Sequence, residues 1–568
     1  MKLEKTKRKF VAQNLVIDSW ESVKSYFENL VERTITSRAD YLHWLQDKSE
    51  LEAVIEEDAA WRYIQMTIDT RDEKWSNAYT LFVTKIQPEL APFEDKLNKK
   101  LVESEYFSEL NELEDYHIYF RSIQTALALF REENIPLEAE INEKSQQFGT
   151  ISAAQTIEHL GEQITMQKAA SLLKETDEHI RFTVFEKMAT RRREDVEALN
   201  NLFTELVTKR HQIALNAGFE NFRDYKFQAL GRFDYTKENC FEFHHAIKKH
   251  IVPLVKEIQQ EKLEKLGKIK FKPWDTDVDP EGKQPLKPFE TGNQLLEGTI
   301  QMFDKIDPNF GDCLRTMHEI GHLDLDSKEG KAPGGYNYPL YETGVPFIFM
   351  NSVGSQRDLV TMVHEGGHAI HSFLSRDLSL TGFKNVPSEV AELASMSMEM
   401  LTMDLWREFY PIEDDFHRAK KEQLESILKI LPWIAQIDEF QHWVYEHPVH
   451  SVQERQEKWV NLSKEYGTGL TDWEGYEDIQ ATSWQRQLHL FEVPFYYIEY
   501  GIAQLGALGI WKNSMNDFDN TIKMYKKALE FGYTKSIPAL YSEAGIPFDF
   551  TESYLKELAD FVNQQLKN

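Results

Sequence analysis

Apolar residues recur at three- and four-residue intervals along most of this 568-residue chain, and that spacing commits it to helices. From 18 to about 265 one helical stripe follows another. Trp20, Val23, Tyr26, Phe27, Leu30 and Val31 share a face of a helix expected to start at Ser19, with Asp18 placed to cap it. Similar stripes run through 50–85, 95–131 and 192–217, with breaks expected at Pro88, Pro92 and Pro136. No fixed-period repeat supports a solenoid. Four prolines and two glycines make 271–293 a loop, and 324–344 is a second irregular stretch. The short apolar run Val345–Asn351 then reads as a strand, which Pro346 pushes to a sheet edge or a strand start. After Arg357 the pattern is helical again almost to the end. The expected fold is mainly α, with one small β element beside a helix that carries the chemistry.

Composition narrows the partners. Hydrophobic residues make up 41% of the chain, enough to bury a large core. Asp and Glu number 94 against 65 Lys and Arg, a formal charge of −29. A surface that acidic repels nucleic acid and anionic lipid and favours cationic ligands, so neither a nucleic-acid nor a membrane partner is expected. The stretch 493–511 is mostly apolar but contains Glu499 and Gln504, and reads as a buried helix, not a membrane span. Two cysteines, Cys240 and Cys313, build no disulfide framework and point to a reducing compartment. The first 20 residues show no sustained apolar run of the kind a secretory leader needs, so a cytoplasmic location is expected.

His-Glu-x-x-His occurs twice, at His318–His322 and at His364–His368. On a helix, residues four apart lie one above the other, so two imidazoles can grip one metal ion. The glutamate after the first histidine can then serve as general base towards a water molecule. Chance places such a motif in roughly one chain in twenty of this composition, so at least one of the two needs no functional explanation. After His322 the chain turns to loop residues, and no third ligand sits on a continuing helix. The second motif lies in an apolar-faced helix of about 18 residues, and Glu392 follows early in the next helix, behind a turn and a Ser388 suited to N-capping. His364, His368 and Glu392 therefore form a two-histidine, one-glutamate set for Zn²⁺, one ion per chain, with Glu365 as the base. Helical spacing adds Glu399 and His371 as candidates to hold the ligand imidazoles. Gly366 and Gly367, each costly inside a helix, suggest close approach of another backbone or a substrate, or simple packing. The metzincin pattern fails, because 371 is not glycine and 374 is not histidine.

The chain resembles the oligoendopeptidase F family of zinc metallopeptidases and, more distantly, thimet oligopeptidase. The likeness rests on PWD at 273–275, GKAPGGY at 330–336, PFIFMN at 346–351, HEGGHAIHSF at 364–373, ELASMSME at 392–399, FQHWVY at 440–445 and HLFEVPFYYIEYGIAQLGAL at 489–508. The resemblance implies a zincin-type, two-lobed helical metallopeptidase with a deep substrate channel and a small β-sheet beside the zinc-binding helix. It implies an N-terminal helical region, 1–180, and a catalytic region, 181–568. Such enzymes cut internal bonds of short peptides. His489, Tyr496, Tyr497 and Tyr500 would assist catalysis, with the choice between Tyr496 and Tyr497 open. Gly334 and Gly335 would line the cleft, and the strand with Phe349 and Asn351 would lie along the substrate. A zinc carboxypeptidase of similar build, or a non-catalytic acidic helical binding protein, are the competing expectations.

Overall fold

The computed structural model describes residues 7–332 and 334–567; the stretch read for a leader begins outside them. Among the described residues helices dominate, with five short strands. Two compact units divide the chain. The first comprises Met1–Ala128, Leu286–Ala419 and Ala503–Phe548, and the second Leu129–Pro285, Lys420–Ile502 and Asp549–Asn568.

In the first unit the helix Arg38–Ile68 begins where the Ser37 side chain accepts from the Asp40 N–H, and its buried Tyr41 and Trp44 anchor a large aromatic core. Their polar tips are satisfied: Tyr41 donates to the Leu101 carbonyl at 2.8 Å and Trp44 to that of Leu30 at 2.9 Å. The stripe at Val23, Phe27 and Leu30 buries as its spacing predicts. That helix starts at Glu21, however, and Asp18 accepts from the Ser19 hydroxyl instead of capping it. Nor do Pro88 and Pro92 break the chain. A π-turn, Phe82–Ile86, carries one helix into the next, Gln87–Glu103, where Pro88 falls in the first turn and has no helical N–H to lose.

The sheet of this unit has three strands, β3 (Leu323–Asp326), β4 (Tyr336–Tyr338) and β5 (Phe347–Ser352), in the order β3-β5-β4. β5 runs parallel to β3 and antiparallel to β4. It is thus the central strand, not an edge; Pro346 lies just before it, where its missing N–H costs no ladder bond. Phe347 to Met350 are all buried, because Phe347 and Phe349 pack with Ala60 and Ile64 of the Arg38–Ile68 helix and the strand also packs against the helix Gln356–Ser375.

In the second unit the 39-residue helix Glu178–Asn216 is capped by Asp177. A hairpin of β1 (Thr156–His159) and β2 (Glu162–Thr165) interrupts the expected helices, and turns through Leu160 and Gly161, both at positive φ. Ile157 and Ile164 pack with Val184 and Met188. The segment 271–291 is loop, as its prolines predict, and Asp275 fixes it through Arg181 at 2.7 Å and Lys268 at 2.6 Å. The apolar stretch near 493–511 forms the helix Tyr497–Ser514. No helix among the described residues is long and apolar enough to cross a membrane.

Candidate active site

The motif helix, Gln356–Ser375, starts with a capping box in which Ser355 and Asp358 satisfy each other's backbone N–H groups. Its helical spacing brings the His364 and His368 rings to 4.9 Å between centroids. The next long helix, Ser388–Thr402, starts behind Pro387; Ser388 is its first residue and makes no capping bond. It lies close to the motif helix for a reason visible in the glycines. A Cβ on Gly367 would fall 2.6 Å from the Ser395 Cα, and one on Gly366 would fall 2.7 Å from the Phe303 ring. The first contact is backbone against backbone, the second backbone against a side chain.

That closeness delivers Glu392. Its Oε2 is 3.3 Å from His364 Nε2 and 3.9 Å from His368 Nε2. The three ligand atoms lie within 4.8 Å of one another, as a shared ion requires. Glu399, one heptad on, takes His364 Nδ1 at 2.7 Å, fixing the ring so that Nε2 faces Glu392. The Ser395 hydroxyl, fully buried, reaches the Glu392 carboxylate at 3.3 Å. Tyr525 and Tyr541 hold this helix from outside by donating to the carbonyls of Ala394 and Glu389.

The electrostatics suit these roles. Burial pushes His368 down to about 4, so its imidazole is neutral. Burial opposes protonation of His364 too, but hydrogen bonds to Glu392 and Glu399 outweigh it and raise its pKa well above the usual value. A cation held by His364 would have to displace that proton. Burial pushes Glu365 up to about 7, into the range of a general base. The backbone of Glu365 is held by Asn337 of β4, whose side chain donates to the Glu365 carbonyl at 3.2 Å, a contact that no sequence signal marked.

Other expectations come out differently. His371 does not join the ligand network: it is buried, its Nε2 has no hydrogen-bond partner, and burial pushes its pKa down to about 3. Helical spacing puts it near the ligand face, but its ring is packed in the interior without a hydrogen bond to His364, His368 or Glu392. Phe349 is fully buried, stacked on Tyr336 at 4.8 Å with the Lys331 ammonium over its ring, so it cannot meet a substrate. Asn351 donates to the carbonyls of Ala332 at 2.7 Å and Gly334 at 2.9 Å, so its amide holds the glycine loop. Gly334 is exposed with φ +101°, a conformation that favours glycine, and Gly335 approaches the Phe349 carbonyl. The first motif is in none of the clusters of metal-ligating atoms found among the described residues. Its helix ends at Glu319, Gly321 takes the left-handed conformation, and His322 turns away to contact the Val345 and Pro346 carbonyls.

In the second unit His489, Tyr496, Tyr497 and Tyr500 form one cluster of rings. The His489 centroid lies 4.9 Å from Tyr497 and 5.9 Å from both Tyr496 and Tyr500. Gln487 contacts His489 Nδ1 at 2.7 Å, leaving Nε2 as the other ring nitrogen. The turn into the tyrosines is strained: Phe495 has φ +68°. Buried Arg232 locks it by donating to the Phe495 carbonyl and pairing with Glu499 at 2.9 Å. Arg232 carries no motif, and only its structure reveals it.

A helix-borne His-Glu-x-x-His with a glutamate from the following helix is the donor pattern of zinc hydrolases. Two family models match this chain, Peptidase family M3 over residues 171–560 and Peptidase M3 N-terminal domain over residues 10–130, and the chain belongs to peptidase family M3. Oligoendopeptidase F, plasmid, of Lactococcus lactis subsp. cremoris is 25% identical over 292 residues, 49% of this chain and 45% of that protein. Oligopeptidase PepF of Bacillus subtilis (strain 168) is 23% identical over 264 residues, 45% of this chain and 38% of that protein. The aligned part of the chain thus spans less than half the length of these curated relatives. Solved structures match far more widely. PZ peptidase A with inhibitor 2 has a TM-score of 0.91 at 26% identity, over 98% of this chain and 99% of that one. A putative oligoendopeptidase F has the same TM-score and identity over 99% of both chains.

Proposed function

We propose that this chain is a zinc-dependent endopeptidase that hydrolyses internal bonds of short peptides. The observation that carries the reading is the mutual approach of His364, His368 and Glu392 within 4.8 Å, with Glu365 on the same helix. Two imidazoles and one carboxylate fit zinc by number and type, and would leave a coordination position open. A bound zinc ion there would supply Lewis-acid polarisation of the scissile carbonyl and lower the pKa of water. Glu365 takes the proton from the attacking water and passes it to the leaving amine. Glu399 keeps His364 in its ligand tautomer. For the substrate we propose pairing with β4, which among the described residues has a strand partner on one side only, in place of the central β5. Phe349, Lys331 and Asn351 then support the Gly334–Gly335 loop from beneath. To His489, Tyr496, Tyr497 and Tyr500 we assign hydrogen bonding to the substrate carbonyl oxygen; their shared cluster and strained, locked turn support this. These assignments keep the catalytic functions within 181–568 and leave 1–180 as a helical N-terminal region. Short peptides as substrates are inferred from the relatives named as oligopeptidases. Neither cysteine is in a disulfide, in keeping with a cytoplasmic enzyme.

The test is digestion of a mixed peptide library, read by mass spectrometry, with free and amidated C-termini and with and without a chelator. Internal cleavage of both sets, lost with chelator and restored by zinc, is expected. Loss of single C-terminal residues from the free set alone would make the enzyme a carboxypeptidase. No cleavage at all would leave a binding protein.

A further inference from the structure

Two helices of the second unit each present a pair of metal-ligating side chains four residues apart. Cys240 and His244 lie on Lys237–Ala246, and Asp438 and His442 lie near the end of Glu413–Glu446. At that spacing each pair shares one helix face. The faces meet: the Cys240 sulfur, an Asp438 carboxylate oxygen and a His442 ring nitrogen all lie within 4.8 Å of one another, and all three residues are buried. His244 Nε2 is 2.8 Å from Asp438 Oδ2, and His442 Nε2 is 3.2 Å from the same oxygen.

The polar accounting of this cluster does not close. Asp438 is 0% exposed, yet its Oδ1 has no hydrogen-bond partner. His442 is 2% exposed; its Nε2 meets only the Asp438 carboxylate, and its Nδ1 has no hydrogen-bond partner among the described residues. Rings of Phe227, Phe241 and Phe495 pack around His442 at 5.8, 4.9 and 5.4 Å. A buried carboxylate oxygen and a buried ring nitrogen without a hydrogen bond are costly, and natural proteins seldom leave them so without an occupant.

We propose that Cys240, Asp438 and His442 form a second metal site, for a zinc-like divalent cation, with His244 orienting the carboxylate. Thiolate and imidazole select such a cation over magnesium or calcium, whose sites are built of oxygen. One thiolate and one carboxylate neutralise a divalent charge, so the loaded site buries no net charge. Its place is structural: it ties Lys237–Ala246 to Glu413–Glu446. This inference does not depend on the peptidase reading.

Cobalt substitution tests it, because thiolate ligation gives a near-ultraviolet charge-transfer band that His364, His368 and Glu392 cannot produce. Full-length protein stripped of metal under reducing conditions is titrated with Co²⁺. The band is expected in the wild type, in Cys313→Ser, whose thiol donates instead to the Asn309 carbonyl, and in the double variant His364→Ala/His368→Ala. It is expected to vanish in Cys240→Ser. Stoichiometry should be about two ions in the wild type and about one in the double variant. His244→Ala should lower the cobalt affinity read from this band by about 10–100-fold. Cobalt binding to the wild type without the band overturns the proposal, whether or not any variant folds, and so does a band that persists in Cys240→Ser. A protein that shows the band but cleaves no peptide would refute only the peptidase reading.

Discussion

Glu365 and His364 are neighbours in sequence, yet their surroundings push them to opposite tasks. His364 is flanked by two carboxylates, whereas the Glu365 carboxyl is buried and held up to about 7. Glu365→Gln is expected to keep full metal content and lose about 10²–10⁴-fold in turnover. Near-normal cleavage by that variant would remove its assignment as base. The same burial sets a pH dependence. The base must be ionised, so activity falls as pH drops through its pKa; a cation beside it favours the carboxylate and pulls that value below 7. The acid limb of kcat/KM should therefore lie between the ordinary glutamate value of about 4.3 and about 7. A profile flat down to the ordinary value would contradict it. His318→Ala should leave metal content and activity unchanged, measured by metal analysis and peptide turnover. That His364, His368 and Glu392 come together is legible in the sequence because four-residue spacing is a strong constraint on a helix, and Glu399 because seven-residue spacing repeats it. His371 was misjudged because a shared face does not fix which way a ring turns. Arg232 and Asn337 were invisible, since their partners, Phe495 with Glu499 and Glu365, are distant in sequence.

Between elements, the glycine pair decides how close two helices come. Gly366 and Gly367 look alike in sequence, but only Gly367 faces backbone. Phe303 can shift its ring to admit a methyl at 366, whereas Ser395 Cα cannot move without its whole helix. Gly366→Ala should cost about 1–3 kcal/mol of stability and leave metal affinity nearly intact. Gly367→Ala should also weaken metal binding by about tenfold or more, because Glu392 is displaced with its helix. Metal titration and thermal unfolding of the metal-free variants separate the two; equal metal affinities would show that Gly367 merely packs. Long helices were readable because their periodicity extends over many turns. Short strands were not. Three residues of β4 carry no period, and Pro346 signals either an edge or a strand start: the start is where it stands, and a sequence does not show that neighbours arrive on both sides of β5. The β1–β2 hairpin escaped because Leu160 takes a positive φ that leucine rarely adopts, so Gly161 alone marked the turn.

At the scale of the molecule, the helix that carries His364 and His368 depends on chain far upstream of it. The first compact unit needs Met1–Ala128 as well as Leu286–Ala419. Phe347 and Phe349 are buried with Ala60 and Ile64, and Leu380 and Phe383 belong to the core built on Tyr41 and Trp44. Thr381 is fixed by Ser49, its N–H donating to the Ser49 hydroxyl at 2.6 Å, and Thr343 N–H donates to Glu57 at 2.7 Å. Phe347, Phe349, Leu380 and Phe383 are each worth about 1.5–3 kcal/mol when buried, against a total stability of roughly 5–15 kcal/mol for a folded protein. A fragment of 181–568 alone would retain every proposed catalytic and metal-binding residue and still lose the surface that shapes the sheet beneath the motif helix. It should express poorly, unfold without a cooperative transition and bind less metal than the full chain at the His364 site. Supplying 1–180 as a separate chain should restore part of that binding. Circular-dichroism melting and metal analysis of the fragment decide the matter: cooperative unfolding with full-chain metal content would show that the N-terminal helices only cover a catalytic region that stands by itself.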